Sequence, residues 1–133
     1  MFSMSKLFLK NRNILFRNFS HLNKLKGSNI IYSKLVDNNV KDTFIYSGGA
    51  IMPLIDCFYN NTINYYICTN ELSLGLSGVG YAKSTGKPGV CIVTSGPGLT
   101  NMVTSLTDAQ NDSTPLIVLS GQVPINSMGT LAF

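Results

Sequence analysis

Few side chains in this sequence could do chemistry unaided, and their spacing narrows what is available. The three cysteines, Cys57, Cys68 and Cys91, are odd in number, and no two stand at a C-x-x-C spacing. Cys68 and Cys91 lie inside apolar stretches, where a reduced, buried thiol is expected. The only histidine, His21, falls in a basic N-terminal segment. Zinc coordination and Ser–His or Cys–His catalysis are thereby excluded for the rest of the chain, and no metal ligand is assigned. Any chemistry has to use carboxylates, backbone groups or a bound cofactor.

One carboxylate stands out. Four segments rich in small and turn-forming residues each follow an apolar run: Ser47-Gly48-Gly49, Asn70-Glu71, Ser95-Gly96-Pro97-Gly98-Leu99-Thr100-Asn101, and Gly121-Gln122-Val123-Pro124. Glu71 is the single charge among them. It reads either as an acid favoured by the dipole at the start of a helix, or as a carboxylate shielded from water and able to share a proton with a ligand. The glycines are equally double: they turn a strand into a helix, or they let a ligand approach the backbone. Gly96-Pro97-Gly98 opens a G-x-G match to the dinucleotide fingerprint. Asn101 stands where the third glycine belongs, and no acid ends the next strand, so a nicotinamide-binding domain is not expected.

The elements that must carry these loops are legible as alternating strands and helices. Strands are expected at Thr43–Tyr46, Asn64–Thr69, Val90–Thr94 and Leu116–Ser120, all β-branched, aromatic or apolar runs. Helices are expected at Ile30–Asn38, Ala50–Tyr59, Leu72–Ser84 and Leu99–Asn111, with Pro53 tolerated in a first turn. This order predicts an α/β fold, a doubly wound parallel sheet flanked by helices, whose strands should be apolar on both faces. Ligands of such sheets sit outside the carboxyl ends of the strands, where the four segments fall. Within Leu72–Ser84, Gly75, Gly78 and Ala82 leave one face nearly bare. That face either packs closely on its own sheet or receives a helix from a second chain.

Composition agrees with one domain: 133 residues, 44% apolar and 12% charged, too apolar for disorder. No apolar run approaches the ~20 residues of a membrane span. The net charge of +4 is uneven. Residues 1–36 carry seven Lys and Arg and no acid, whereas residues 37–133 are net acidic, so a nucleic-acid partner is not expected. Residues 1–27 form a basic amphipathic pattern, with Lys6, Lys10, Arg17 and Lys24 on one arc of a helical wheel and Met4, Leu7, Phe8, Ile14, Leu15, Leu22 and Leu25 opposite. They are expected to be a cleaved targeting leader, mitochondrial first and plastid second. Arg17-Asn18-Phe19-Ser20 resembles a matrix-processing site cut between Phe19 and Ser20. Residues 28–133 are then the domain.

The ordered segments Tyr46-Ser47-Gly48-Gly49-Ala50, Glu71, Gly80-Tyr81-Ala82-Lys83-x-Thr85-Gly86-Lys87-Pro88-Gly89-Val90, Thr94-Ser95-Gly96-Pro97-Gly98-x-Thr100-Asn101, Asp112-Ser113-x-Pro115 and Gly121-Gln122-Val123-Pro124 resemble those of thiamine diphosphate enzymes. The likeness runs from about Ser33 to Phe133. It is greatest to the pyrimidine-binding domain of the acetolactate synthase (acetohydroxyacid synthase) large subunit, which the closing Gly129-Thr130-Leu131-Ala132-Phe133 favours. The resemblance implies that Glu71 is catalytic, hydrogen-bonding the aminopyrimidine ring and driving it into the imino form that deprotonates the thiazolium carbon. It implies that Ser47, Gly48, Gly49, Glu71, Pro97 and Asn101 line the cofactor's pyrimidine pocket, with Gln122 and Phe133 near the substrate. The implied activity is decarboxylation and condensation of pyruvate, a 2-keto acid, in branched-chain amino-acid synthesis. Against the family pattern, Ser47 replaces Pro, Asn70 replaces His before the glutamate and Leu72 replaces Gln after it. By the same resemblance, the Mg²⁺, diphosphate and FAD sites are expected only in domains missing from this chain. The chain is therefore expected to be an N-terminal piece, inactive alone, that works with a diphosphate-binding domain of another chain or as a homo-oligomer. The alternative is a non-catalytic remnant or interaction module.

Overall fold

The computed structural model describes residues 26–59 and 61–132. The basic leader up to residue 25 and Phe133 lie outside the described residues, and with them the import and processing expectations and the placing of Phe133. Four strands form: β1 (Asp42–Ile45), β2 (Asn64–Ile67), β3 (Gly89–Val93) and β4 (Leu116–Ser120). They make one all-parallel sheet in the order β2-β1-β3-β4, with Phe44 opposite Cys91 and Cys91 opposite Val118. The helices are α1 (Gly27–Asp37), α2 (Met52–Ile55), α3 (Glu71–Thr85), α4 (Pro97–Thr100) and α5 (Val103–Asn111).

Because side chains alternate along a strand, β3 feeds two cores. Val90 and Ile92 join Ile45 on one face, under Leu35 of α1 and Ile51, Leu54 and Phe58. Cys91 and Val93 point the other way, against Leu74 of α3 and Met102. This is the doubly wound sheet that the alternation of elements requires. Only β3 is buried throughout, however. The expectation of strands apolar and covered on both faces fails at the edges: Tyr65, Tyr66 and Ile67 of β2 are exposed, Ile67 by 68%. Edge strands pair on one side only, and these side chains stay largely open to solvent.

Two expected helices are broken, each for a local reason. The segment 50–59 is a 3-10 turn (Gly49–Ile51), the short α2 and a second 3-10 turn (Asp56–Phe58). Pro53 has no N–H to return to Gly49, so the carbonyl of Gly49 accepts from Met52 instead and the turn tightens. The segment 97–111 stays helical in path but tightens between α4 and α5, where the N–H of Met102 donates to the carbonyl of Leu99 at 3.0 Å. The long helix α3 ends cleanly. Gly86 adopts a left-handed conformation at φ +68°, which a side chain would resist, and its N–H bonds Ala82.

The bare face of α3 belongs to its own domain. A Cβ on Gly75 would strike the Ser105 side chain, and one on Gly78 would stand 2.6 Å from Cys91 Sγ and 2.8 Å from Leu116 Cδ1. Ala82 is buried with them. The stripe lets α3 settle onto β3 and α5, so a second chain does not occupy that face. Burial there also pushes the Cys91 thiol up from 9.0 to about 12, with Cys68 adding a smaller effect, so the sulfur stays protonated and inert.

At the opposite end of the strands, Asp42 gathers three donors. Its carboxylate accepts from Tyr66 at 3.1 Å, Asn64 at 3.2 Å and Tyr81 at 3.3 Å, joining β1, β2 and α3. The bond and charge of Asp42 raise the Tyr66 phenol above its ordinary value. Desolvation, then Asp42, does the same to Tyr81. No described helix is long and apolar enough to cross a membrane.

Replacing Gly78 with Leu tests the packing of α3. Overpacking of this kind costs typically about 1–3 kcal/mol, so the urea midpoint of the full chain should fall clearly below wild type. An unchanged midpoint would show that the face is free.

Candidate functional site

The sheet order changes direction between β1 and β3, and open parallel sheets take ligands at such a point, outside the carboxyl ends. Three loops converge there, and Thr94 at the end of β3 sets their spacing. A Cβ on Gly48, after β1, would lie 2.5 Å from Thr94 Oγ1 and 2.7 Å from its Cγ2. A Cβ on Gly98 would lie 2.8 Å from the same methyl group. Both glycines are therefore needed so that the loop after β1 and the start of α4 can close on one threonine. Gly49 differs: a Cβ there would meet nothing within 4 Å, so its missing side chain leaves open space. Gly96 supplies the turn from β3 into α4 at φ 59° and ψ −118°, a conformation that L residues rarely adopt. Pro97 follows in the first turn, where an N–H would be surplus.

Glu71 enters from β2 as the first residue of α3. Asn70 caps that helix, its side-chain oxygen accepting from the N–H of Ser73 at 2.7 Å. Ser105 on α5 donates to the carbonyl of Leu72 at 3.3 Å, fastening the same turn from outside. The carboxylate sits where the helix dipole favours a negative charge, yet the residue is only 7% exposed. Its Oε2 accepts from Asn101 Nδ2 at 3.1 Å. Its Oε1 lies 3.7 Å from where a Cβ on Gly98 would stand, so the second oxygen faces the glycine loop.

The fourth loop closes the edge. Gly121 packs so tightly on α2's approach that a Cβ would be 2.8 Å from Ala50 Cβ, and its N–H bonds the carbonyl of Val93 at 2.9 Å. Gln122 is exposed and folds back on itself, its Oε1 accepting from Val123 N–H at 2.8 Å. Its side chain is thus engaged locally and makes no bond to Glu71.

The structure therefore brings together Gly48, Glu71, Gly98 and Asn101, with Gly49 and Pro97 beside them and Ser47 exposed on the β1 loop. Sequence reasoning gave Thr94 and Ser105 no role of their own and did not read Asn70 as a helix cap. Asn70 had a signal, since an Asn before a helical run with a polar residue three places on marks an N-cap. What the cluster offers is one carboxylate, half satisfied, among hydroxyls, backbone and small residues. That donor set suits an uncharged, nitrogen-bearing ring that can exchange a proton with the free oxygen, and Gly49 leaves open space on the loop after β1. The residues present fit the pyrimidine end of thiamine diphosphate.

Comparison with known proteins identifies the family. The family model described as thiamine pyrophosphate enzyme, N-terminal TPP binding domain, matches residues 25–133. The acetolactate synthase isozyme 2 large subunit of Escherichia coli is 42% identical over 82% of this chain and 20% of its own length. The mitochondrial acetolactate synthase catalytic subunit of Saccharomyces cerevisiae is 44% identical over 82% of this chain and 16% of its own. The chloroplastic acetolactate synthase 3 of Brassica napus is 43% identical over 81% and 17%. The chain thus spans no more than a fifth of the length of these three relatives.

The three-way contact at Thr94 makes a separate prediction. Gly98→Ala should lower the urea midpoint because its methyl meets Thr94 Cγ2. Adding Thr94→Ser, which removes that methyl, should restore most of the loss. If the two changes simply add, the contact does not set the loop.

Proposed function

This chain belongs to the thiamine pyrophosphate enzymes as their N-terminal TPP binding domain, and from that we propose that it contributes the pyrimidine-activating half of an acetolactate synthase-type site. The observation that carries the reading is Glu71, buried at the switch point with one oxygen held and the other turned to a loop of small residues. Thiamine diphosphate, when bound, supplies a carbon nucleophile for the carbonyl of a 2-keto acid. Glu71 holds or releases a proton at the ring edge, at the oxygen that faces Gly98. Gly48, Gly49 and Pro97 shape the walls against which the ring lies, with Ser47 at the rim. The neutral surroundings keep that proton exchange free of competing acids and bases.

Gln122 and Phe133 would meet the 2-keto acid. The diphosphate, with its Mg²⁺, would be held by a diphosphate-binding domain from another chain, and FAD lies outside this chain's role. On this reading, residues 28–133 form only the pyrimidine half of the site. Residues 1–27 are a leader that directs it to mitochondria, the plastid being the second choice, and residues 28–133 are the working domain.

The direct test is binding of an uncharged probe, 4-amino-5-hydroxymethyl-2-methylpyrimidine, to the full chain by NMR. Amide shifts should concentrate at Gly48, Gly49, Glu71 and Gly98, with weak affinity, since association must first offset roughly 4–15 kcal/mol. Glu71→Gln should weaken binding about tenfold, the loss of a bond to a charged group. Thiamine diphosphate with Mg²⁺ should bind no more tightly than the pyrimidine. Micromolar affinity of the chain alone for thiamine diphosphate would overturn the half-site reading.

Localisation has its own test. A reporter fused behind residues 1–27 should enter mitochondria and be cut near Ser20. A reporter that stays cytosolic and keeps Met1 would refute the leader.

A further inference from the structure

We infer that Asn101 is a positioning residue that divides the labour of the Glu71 carboxylate, holding Oε2 so that Oε1 alone meets the ligand. This rests on the pyrimidine-site reading and goes beyond the ring-lining role that resemblance gave Asn101. The bond from Asn101 Nδ2 to Oε2 is 3.1 Å and bridges two elements distant in sequence. Among the described residues no other donor reaches this carboxylate. The neighbours of Glu71 do not substitute: Asn70 turns its oxygen to the Ser73 N–H and makes no bond to this carboxylate, and Leu72 is apolar and 41% exposed. Gln122, the other amide on this edge, accepts from Val123 N–H through its oxygen and makes no bond to Glu71.

Asn101 is itself well fixed. Its N–H bonds the carbonyl of Pro97 at 2.9 Å, and the tightened turn to Met102 follows at once. A glutamate has three side-chain torsions, and a hydrogen bond from a side chain carried on a fixed turn restricts that freedom. The bond is also charge-assisted, which favours a short, directional contact. Chemistry favours an amide in this place. It donates without exchanging protons near neutrality, so it orients the carboxylate without competing for the proton that the carboxylate handles. Oε1, with no donor among the described residues, faces Gly98, and the absence of a side chain there keeps it approachable.

The experiment is a double-mutant cycle on the full chain, with the aminopyrimidine as probe and NMR as readout. Asn101→Leu should weaken binding about tenfold and lower the urea midpoint as well, since it strips the buried Glu71 carboxylate of its donor. Asn101→Ser, whose hydroxyl is too short to reach, should behave alike and serves if the leucine variant folds poorly. Combined with Glu71→Leu, the Asn101 change should add nothing. Additive losses would mean that Asn101 contacts the ring directly, and unchanged affinity would mean that it does nothing; either overturns the inference. A second readout needs no ligand. In the unliganded chain the side-chain amide protons of Asn101 should be shifted downfield and should return to ordinary positions in Glu71→Leu. If they are ordinary in wild type, the positioning role is refuted. Failure of the wild type to bind the probe, with the amide signature present, would instead refute the pyrimidine reading alone.

Discussion

Thr94 is the point on which the site is hung. Its methyl and hydroxyl fill the space that side chains on Gly48 and Gly98 would need, so the loop after β1 and the start of α4 can approach each other only this far and no farther. Dispersion forces act over tenths of an ångström, and a close-packed contact among three residues is stiffer than any one loop would be. The crevice between the carboxyl ends of β1 and β3 inherits that stiffness. Glu71 then needs only to be delivered to its rim, which α3 does by resting its bare stripe on β3 and α5.

The delivery is a matter of backbone accounting as much as of packing. A helix that begins at a buried position leaves amide groups to satisfy, and Asn70 takes the one at Ser73. Ser105 reaches across from α5 to the carbonyl of Leu72. With the first turn fixed on both sides, the remaining freedom lies in the glutamate side chain itself. The family pattern that the resemblance implies has His and Gln beside this acid, where Asn70 and Leu72 stand here. In this chain one of those places is occupied by a cap and the other by an apolar side chain, and the carboxylate turns to Asn101.

Much of this was legible in the chain. The strand β4 was read to the residue, and β1 and β3 to within one, because β-branched runs between turn residues have few alternatives. Glu71 was legible because a lone charge in a row of glycine loops has little else to do. The breaks in the helices were not, since a helical period does not reveal where a missing N–H will tighten a turn. Nor was the fate of Gly75, Gly78 and Ala82: the spacing is the same whether a stripe meets its own sheet or another molecule, and only the arrival of Ser105 and Cys91 opposite it decides. The bond from Asn101 to Glu71 and the contacts at Thr94 link residues that only the finished fold makes neighbours. Patterning along the chain carries no signal for them.

The all-parallel register leaves its mark on how the chain must assemble. No two of the described strands form a hairpin, so each pairing closes a substantial loop before it gains anything. Pairing of β1 with β3, which joins Phe44 to Cys91, closes the largest of the three, since β2 and its neighbouring helix lie between them in the chain. Each doubling of a loop adds only about 0.6 kcal/mol of entropy cost, which is small for the finished state but is spent in full on the way to it. The seam that is slowest to close is the one whose outer end holds the crevice. The chain therefore meets its largest search for partners at the same place where it is asked to hold its most exact geometry.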